Sequence, residues 1–426
     1  MAKGFLIAAP TSGSGKTTIA RGLMSLLTAK GYKVQAFKCG PDYIDTKFHT
    51  AVCGRPSVNL DTFMATPEHV RWLYDHYGHD ADVRVVEGMM GLFDGYDRDA
   101  GSSAEVARVL GVPVVLVVDA KSAAYSMAAL ISGFLHFRDD VVIAGVIFNR
   151  VGSPRHAAML QQVCDDLEVE CFGYLPKKTT LEQGSRYLGL DFSQAPEQKQ
   201  LVELLEQNVN WQRLLECTTH NAQCIIHNAQ GRINDIECDE NHSTKRTLIA
   251  RNAESFSFIY QEVIDSLENV DFFDPETDVP CLDNVEQLYL PGGYPEKHLE
   301  ALVKAEATRH AIKDYAERGG HIIAECGGMM YLCDKIVTDE GEFPMCGVLP
   351  YTITARHDDR KLSLGYRRFM FDGKEYRGHE FHYTQFMGEA PLSAAQVENA
   401  KGEPVPTPVI RYKNVLASYT HLYNIK

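Results

Sequence analysis

The stretch that most constrains this chain is Phe5-Leu-Ile-Ala-Ala-Pro10-Thr-Ser-Gly13-Ser14-Gly15-Lys16-Thr17-Thr18. A short apolar run breaks into Gly and Ser, then becomes an amphipathic pattern from Ile19 to Lys30. The glycines fall where a strand turns into a helix N-terminus, so backbone N–H groups point at a bound anion, as in a nucleotide phosphate cradle. Lys16 is placed to reach terminal phosphates and Thr17 to put its hydroxyl on Mg²⁺. Pro10 holds the first glycine position of the common pattern, so the reading rests on Gly13, Gly15, Lys16, Thr17 and the strand-turn-helix context together. The competing reading is an ordinary Gly/Ser turn before a helix.

Residues 1 to about 190 continue the alternation. Strands are predicted at Phe5 to Ala9, Val34 to Lys38, Val83 to Glu87, Val114 to Asp119, Val141 to Asn149 and Cys171 to Leu175, several apolar throughout as a two-faced parallel sheet requires. Helices are predicted at Thr17 to Lys30, Thr66 to Tyr77 with Thr66 as cap and Pro67 in the first turn, Ser103 to Leu110, Ala124 to Phe137 and Pro154 to Leu167. The pattern specifies an α/β doubly wound domain, whose ligands sit beyond the carboxyl ends of the strands. Three of those ends carry unusual residues: Cys39-Gly-Pro-Asp42-Tyr43-Ile44-Asp45, Glu87-Gly-Met-Met-Gly-Leu-Phe-Asp94-Gly and Asn149-Arg150. Carboxylates grouped beside a phosphate loop suit Mg²⁺, which makes Asp42 and Glu87 the expected oxygen ligands alongside Thr17. A turn or helix cap is the alternative for each Asp.

Length and charge bound the rest. A chain of 426 residues exceeds one core, and 42 Lys+Arg against 57 Asp+Glu leave a net charge of -15, which weighs against nucleic acid or an anionic membrane as partner. The 11 cysteines form no C-x-x-C pair, so a reducing compartment is expected. No apolar run approaches a membrane span or a signal h-region, and the expected location is cytoplasmic. From about 191 to 245 the texture changes: Gln194 to Gln212 is polar and helical in character and Glu216 to Lys245 lacks clear periodicity, and the whole reads as a connector; Cys217, His220, Cys224, His227 and Cys238 within it match no standard zinc module.

A second α/β pattern occupies 246–426, with strands predicted at Thr247 to Arg251, Val270 to Phe273, Glu286 to Leu290 and His321 to Ala324, and a helix from Thr308 to Arg318 ended by Gly319-Gly320. It contains Ile322-Ile-Ala-Glu325-Cys326-Gly327-Gly328, a reactive side chain among small residues between strand and helix. Such an elbow exposes a nucleophile, and a helix N-terminus is expected to lower its thiol pKa. Leu290-Pro-Gly292-Gly293-Tyr294-Pro295-Glu296 offers a Gly-Gly turn whose amide, with that of Gly327, can hold an oxyanion. His379, His382 and His421 are the candidate bases, and spacing alone leaves the choice open.

Six motifs in order, Ala9-Pro-Thr-Ser-Gly-Ser-Gly-Lys-Thr-Thr18, Lys38-Cys-Gly-Pro-Asp-Tyr-Ile-Asp45, Glu87-Gly-Met-Met-Gly-Leu-Phe-Asp-Gly95, Leu290-Pro-Gly-Gly-Tyr-Pro-Glu296, Ala324-Glu-Cys-Gly-Gly-Met-Met-Tyr-Leu332 and Gly378-His-Glu-Phe-His-Tyr383, resemble the cobyrinic acid a,c-diamide synthase family. The resemblance implies an N-terminal synthetase domain similar to dethiobiotin synthetase and a C-terminal class I glutamine amidotransferase domain. It implies that Cys326 is the nucleophile and His421 its base, that Asp42, Tyr43, Ile44, Asp45, Glu87 and Asp94 line the Mg-ATP and corrinoid site, and that Asn149 contacts adenine. Implied partners are cobyrinic acid or a related corrinoid, ATP and L-glutamine; a homodimer is compatible with the sequence, which does not fix the oligomeric state. The chain departs from the family in two places. Tyr423 stands where class I triads carry an acid two residues after the histidine, and Asn252 where the family has Asp.

The expected chemistry is amidation of the a- and c-side-chain carboxylates through acyl phosphates, with nitrogen from glutamine. Rival readings are the same reaction on hydrogenobyrinic acid or nickel sirohydrochlorin, and an ATPase switch carrying a non-catalytic amidotransferase-like module.

Overall fold

Strand β1 (Lys3–Ala8) pairs in parallel with β4 (Val83–Glu87) on one side and β5 (Val114–Asp119) on the other. Phe5, Leu6 and Ile7 are all buried, because a strand inside a sheet covered on both faces has no solvent side. The structure, a computed structural model, describes residues 3–177, 196–225 and 246–423. Contacts divide the chain into two compact units, Met1–Asp235 and Ile236–Lys426.

In the first unit β2 (Val34–Cys39), β3 (Val58–Leu60), β6 (Ile143–Val151) and β7 (Cys171–Pro176) complete a seven-stranded parallel sheet of order β3-β2-β4-β1-β5-β6-β7. The doubly wound sheet is thus present. Register sets Glu87 opposite both Ile7 and Lys38, so the ends of β1, β2 and β4 stand side by side. Helices α1 (Lys16–Ala29), α2 (Asp45–Cys53), α3 (Pro67–Gly78), α4 (Ser103–Leu110), α5 (Met127–His136) and α6 (Pro154–Asp166) connect them. Thr66 and Ser153 cap α3 and α6, each accepting a backbone N–H at 3.2 Å, with Pro67 and Pro154 leading the helices.

The segment expected to be a connector begins with α7 (Pro196–Asn208) and α8 (Trp211–Ile225). Leu201, Leu204, Leu205, Val209, Leu214 and Leu215 share the core of Phe5, Ile7 and Ile19, so these helices are part of the first unit. Helical spacing of the leucines gathers them on one face despite the polar residues between. The expected boundary at 190, and His227 and Cys238, lie outside the described residues. Among the described residues no helix is long and apolar enough to cross a membrane.

The second unit is built on a six-stranded sheet whose strands are β8 (Arg246–Ala250), β9 (Val270–Phe273), β10 (Val285–Leu290), β11 (His321–Glu325), β14 (Val409–Tyr412) and β15 (Val415–Ser418), in the order β14-β15-β11-β10-β8-β9. All pairings are parallel except the one at β14. A long hairpin, β12 (Ser363–Phe371) and β13 (Lys374–His382), belongs to a separate sheet that β16 (His421–Leu422) joins at its edge. The chain therefore leaves the central sheet at Ser418 and enters the second sheet at His421.

Candidate active sites

In the first unit the turn between β1 and α1 needs glycine twice, with Gly13 at φ 80° and Gly15 at φ 97°. A Cβ on Gly15 would meet Asn149 Nδ2 at 2.0 Å. Gly15 precedes α1 without a side-chain cap, so the first amides of α1 are left to a ligand. Lys16 is nearly buried and donates to the Met90 carbonyl; burial first, and Lys38 second, lower its pKa. Triphosphate oxygens would supply the charge it lacks.

The Thr17 hydroxyl donates to Glu87 Oε1 at 2.6 Å. The same carboxylate accepts from Lys38 Nζ at 2.9 Å and, at Oε2, from His49 Nε2 at 2.7 Å. Burial opposes the charge on Glu87, but Lys38, His49 and Thr17 hold its carboxyl well below the usual carboxylate range. Lys38 also pairs with Asp45 at 2.6 Å. Burial, and then Glu87, push the Asp45 carboxyl up. The arrangement is one buried cluster of alternating charge at the mouth of the phosphate loop.

Thr17 and Glu87 give adjacent hard oxygen donors, the chemistry Mg²⁺ takes when phosphates and water fill the remaining positions. Asp42 is engaged differently. Its Oδ1 accepts the backbone N–H groups of Ile44 and Asp45 at 2.8 Å each, the loop-capping role that competes with ligation for an Asp after Gly-Pro. Among the described residues no three His, Cys, Asp or Glu side chains converge as a metal cage. Asn149 lies on the phosphate loop itself, donating to Ser14 O at 2.9 Å while its Oδ1 accepts from Arg150 N at 2.9 Å, so both ends of the amide are held there. Asp94 accepts from Gly91 N at 2.9 Å and closes the loop after β4, while Tyr43 and Ile44 are half-buried. Lys38 and His49 were not singled out by sequence. They lie 49 and 38 residues from Glu87; strand register brings Lys38 to it, and the placement of α2 brings His49.

In the second unit Cys326 sits between β11 and the helix Gly327–Leu332 at φ 44° and ψ -106°, a strained turn for a non-glycine residue. Its amide donates to Ser418 O at 2.8 Å. A Cβ on Gly327 would lie 3.0 Å from Gly293 N and 2.7 Å from Pro295 Cδ. A Cβ on Gly292 would lie 2.1 Å from His421 Cε1. The Gly292-Gly293 turn is therefore threaded between the nucleophile's turn and the imidazole, and neither glycine position tolerates a side chain.

The thiol does not show the helix-terminus effect expected from the sequence. Burial and then Glu296 push the Cys326 thiol up, and the Gly327 N–H only partly offsets them. The helix is six residues long and the sulfur is out of water, so desolvation wins. Burial, with His379 and His382 nearby, lowers His421 to about 3, which leaves it a neutral imidazole able to accept a proton. Leu422 N donates to Glu325 Oε1 at 2.9 Å, and burial raises that carboxyl to about 8.

The two departures from the triad pattern have structural outcomes. Tyr423 packs edge-on against Tyr260, and Asn252 donates to Ser255, Asp274 and Glu276. A second buried acid near the histidines, Glu380, accepts from His382 Nε2 at 2.7 Å and Thr407 Oγ1 at 2.6 Å and pairs with Arg367. His382 in turn stacks on Tyr419, centroids 3.6 Å apart. Of the three candidate histidines, His421 is the one set against the Gly-Gly turn.

Two family models match the chain. A CobQ/CobB/MinD/ParA nucleotide binding domain covers residues 5–188, and a CobB/CobQ-like glutamine amidotransferase domain covers residues 251–425. The chain is 37% identical over 442 residues to a cobyrinate a,c-diamide synthase of Caldanaerobacter subterraneus subsp. tengcongensis, covering 99% of this chain and 95% of that one. It is 39% identical over 438 residues to a hydrogenobyrinate a,c-diamide synthase of Brucella abortus, covering 99% and 98%. It is also 35% identical over 441 residues to a cobyrinate a,c-diamide synthase of Listeria monocytogenes, covering 98% and 95%.

Proposed function

The chain belongs to the family of cobyrinate and hydrogenobyrinate a,c-diamide synthases, and on that premise we propose that it uses ATP and L-glutamine to amidate the a- and c-side-chain carboxylates of cobyrinic acid in cobalamin biosynthesis. The observation that carries this reading is the presence on one chain of a phosphate loop whose Thr17 bonds the buried Glu87, and of a strained Cys326 whose turn packs against the Gly292-Gly293 turn that also meets His421.

A carboxylate is a poor acceptor for ammonia, because its charge repels nucleophiles and oxide is a poor leaving group. In the first unit a side-chain carboxylate of the macrocycle attacks the γ-phosphate of ATP, giving an acyl phosphate and ADP. Lys16 and the first amides of α1 hold the phosphate oxygens as charge shifts toward ADP. Mg²⁺, when bound, neutralises phosphate charge, and Thr17 and Glu87 are the residues that would hold it, with Asp42 beside them. Lys38 and His49 fix the Glu87 carboxylate. Asp42, Tyr43, Ile44, Asp45 and Asp94 form the loops expected to meet the macrocycle and nucleotide.

In the second unit His421 accepts the Cys326 proton and the sulfur attacks the glutamine amide carbon. The amides of Gly293 and Gly327 receive the oxyanion, and collapse releases ammonia and leaves a γ-glutamyl thioester that water hydrolyses to glutamate. Ammonia attacks the acyl phosphate and displaces phosphate. The free cysteines of the described residues support a reducing, cytoplasmic setting.

A second reading is supported by the near-equal identities to the two kinds of relative, 37% and 39%: the macrocycle is the metal-free hydrogenobyrinic acid. Offering each macrocycle with ATP and glutamine, and counting added amides by mass spectrometry, tests the function and separates the substrates.

A further inference from the structure

Glu296 stands beside the nucleophile without a task in the reaction above. It belongs to a single 3₁₀ turn, Pro295–Lys297, immediately after the Gly292-Gly293 turn, and Pro295 is pressed against Gly327, the first residue after Cys326. Among the described residues its half-buried carboxylate makes no ion pair and no hydrogen bond to another side chain. Cations next to it in sequence are engaged elsewhere. Lys297 Nζ lies over the Tyr294 ring at 3.9 Å, and His298 faces Glu254 at 3.1 Å and Glu276 at 3.2 Å.

Lys297, Arg360 and His298 offset part of its charge at a distance, but a carboxylate without a directly bonded cation here works against the chemistry. After burial itself, Glu296 is the strongest influence keeping the Cys326 thiol protonated, and its own carboxyl is raised by burial. Such a charge is tolerable beside a thiol that must ionise if the substrate brings a cation with it. L-Glutamine does so, with its α-ammonium at the end opposite the amide that Cys326 attacks.

We propose that Glu296 receives the α-ammonium of glutamine, selecting the amino acid over amides that lack that cation. The inference rests on the glutaminase reading of the second unit. It makes Glu296 a specificity residue, and it explains a resting nucleophile that is held as the inert thiol.

The test compares hydrolysis of L-glutamine with that of 5-amino-5-oxopentanoate, which is glutamine without its α-amino group, in the full-length chain and in Glu296→Gln and Glu296→Asp. Wild type should prefer L-glutamine. Glu296→Gln should lose about 10- to 100-fold of that preference, mainly through KM for L-glutamine, the loss expected for one charge-assisted contact. Ammonium-dependent amidation should be unchanged, and Glu296→Asp should retain most of the preference. In parallel, iodoacetamide labelling of Cys326 without glutamine, read by peptide mass spectrometry, should be faster in Glu296→Gln than in wild type. An unchanged preference together with unchanged labelling overturns the proposal while leaving the glutaminase reading intact. Failure of the wild-type chain to hydrolyse glutamine overturns both.

Discussion

The backbone amide of Cys326 donates to the carbonyl of Ser418 at 2.8 Å, so the strand that ends in the nucleophile and the strand that leads to His421 leave the sheet side by side. The pairing of neighbouring strand ends places a sulfur and an imidazole within one small region, although 95 residues of sequence separate them. Glutamine chemistry then belongs to the second unit alone. Cys326→Ser should lower glutamine-dependent amidation by at least about 10³-fold, as loss of a covalent nucleophile does. Amidation with ammonium salts should be retained, measured as phosphate release and product mass. Loss of both activities would contradict separable sites.

Gly292→Ala probes the same region without touching a reacting group. The added methyl would lie 2.1 Å from His421 Cε1, so the ring must move. A displacement of that size costs on the order of 10²-fold in a positioned reaction. The variant should lose glutamine hydrolysis by roughly that factor and keep ammonium-dependent turnover. Normal glutaminase kinetics would show that His421 does not stand against this turn.

The first unit predicts the opposite pattern. Lys16→Ala and Glu87→Gln should abolish amidation from glutamine and from ammonium alike, by about 10² to 10³-fold for loss of one electrostatic contact to the phosphates. His49→Ala removes one anchor of Glu87, made at 2.7 Å, and should weaken Mg-ATP binding more than Ser57→Ala, whose contact to His49 is 3.2 Å. Titration calorimetry with Mg-ATP reads both variants. Unaltered nucleotide binding in Glu87→Gln would remove Glu87 from the site.

Acid should destabilise the second unit in a way traceable to Glu380. Burial opposes its charge, but His382 and Arg367 lower its carboxyl to about 2 against an ordinary 4.5. A lowered carboxyl contributes stability that is present above the unfolded value and lost as pH falls from about 4.5 toward 2, roughly 3 kcal/mol in all. His421, lowered by burial to about 3, loses stability in the same direction as pH falls below 6.5. Urea unfolding at pH 7, 5 and 3 should show wild type more stable than Glu380→Gln at neutral pH and the gap closing in acid. A gap independent of pH would contradict an ionised, paired Glu380.

How far the sequence reached depends on what each feature required. The β1-turn-α1 unit was readable because an apolar strand, two left-handed glycines and an amphipathic helix are all local signals. The three-residue strand Val58–Leu60 was not, since its pairing with β2 decides it rather than any run of its own. The hairpin of Ser363–Phe371 and Lys374–His382 turns at Asp372-Gly373, with φ 48° and 80°, a local signal that two-residue turns of this kind carry in sequence. The Lys38-Glu87-His49 cluster and the Glu380 network depend on register and packing, which residue spacing does not contain. The capping of its own loop by Asp42 Oδ1 is a further link that spacing does not show, and it stands beside the expected ligand role.

The central claim is that one chain activates a macrocycle carboxylate with ATP and supplies it with nitrogen from glutamine. The most direct measurement is incubation of the purified protein with cobyrinic acid or hydrogenobyrinic acid, Mg-ATP and amide-¹⁵N glutamine, followed by mass spectrometry. The account predicts a diamide carrying two ¹⁵N atoms, with ATP converted to ADP and phosphate in step with each amide. Glutamine hydrolysis or ATP turnover with no label in either macrocycle would contradict it.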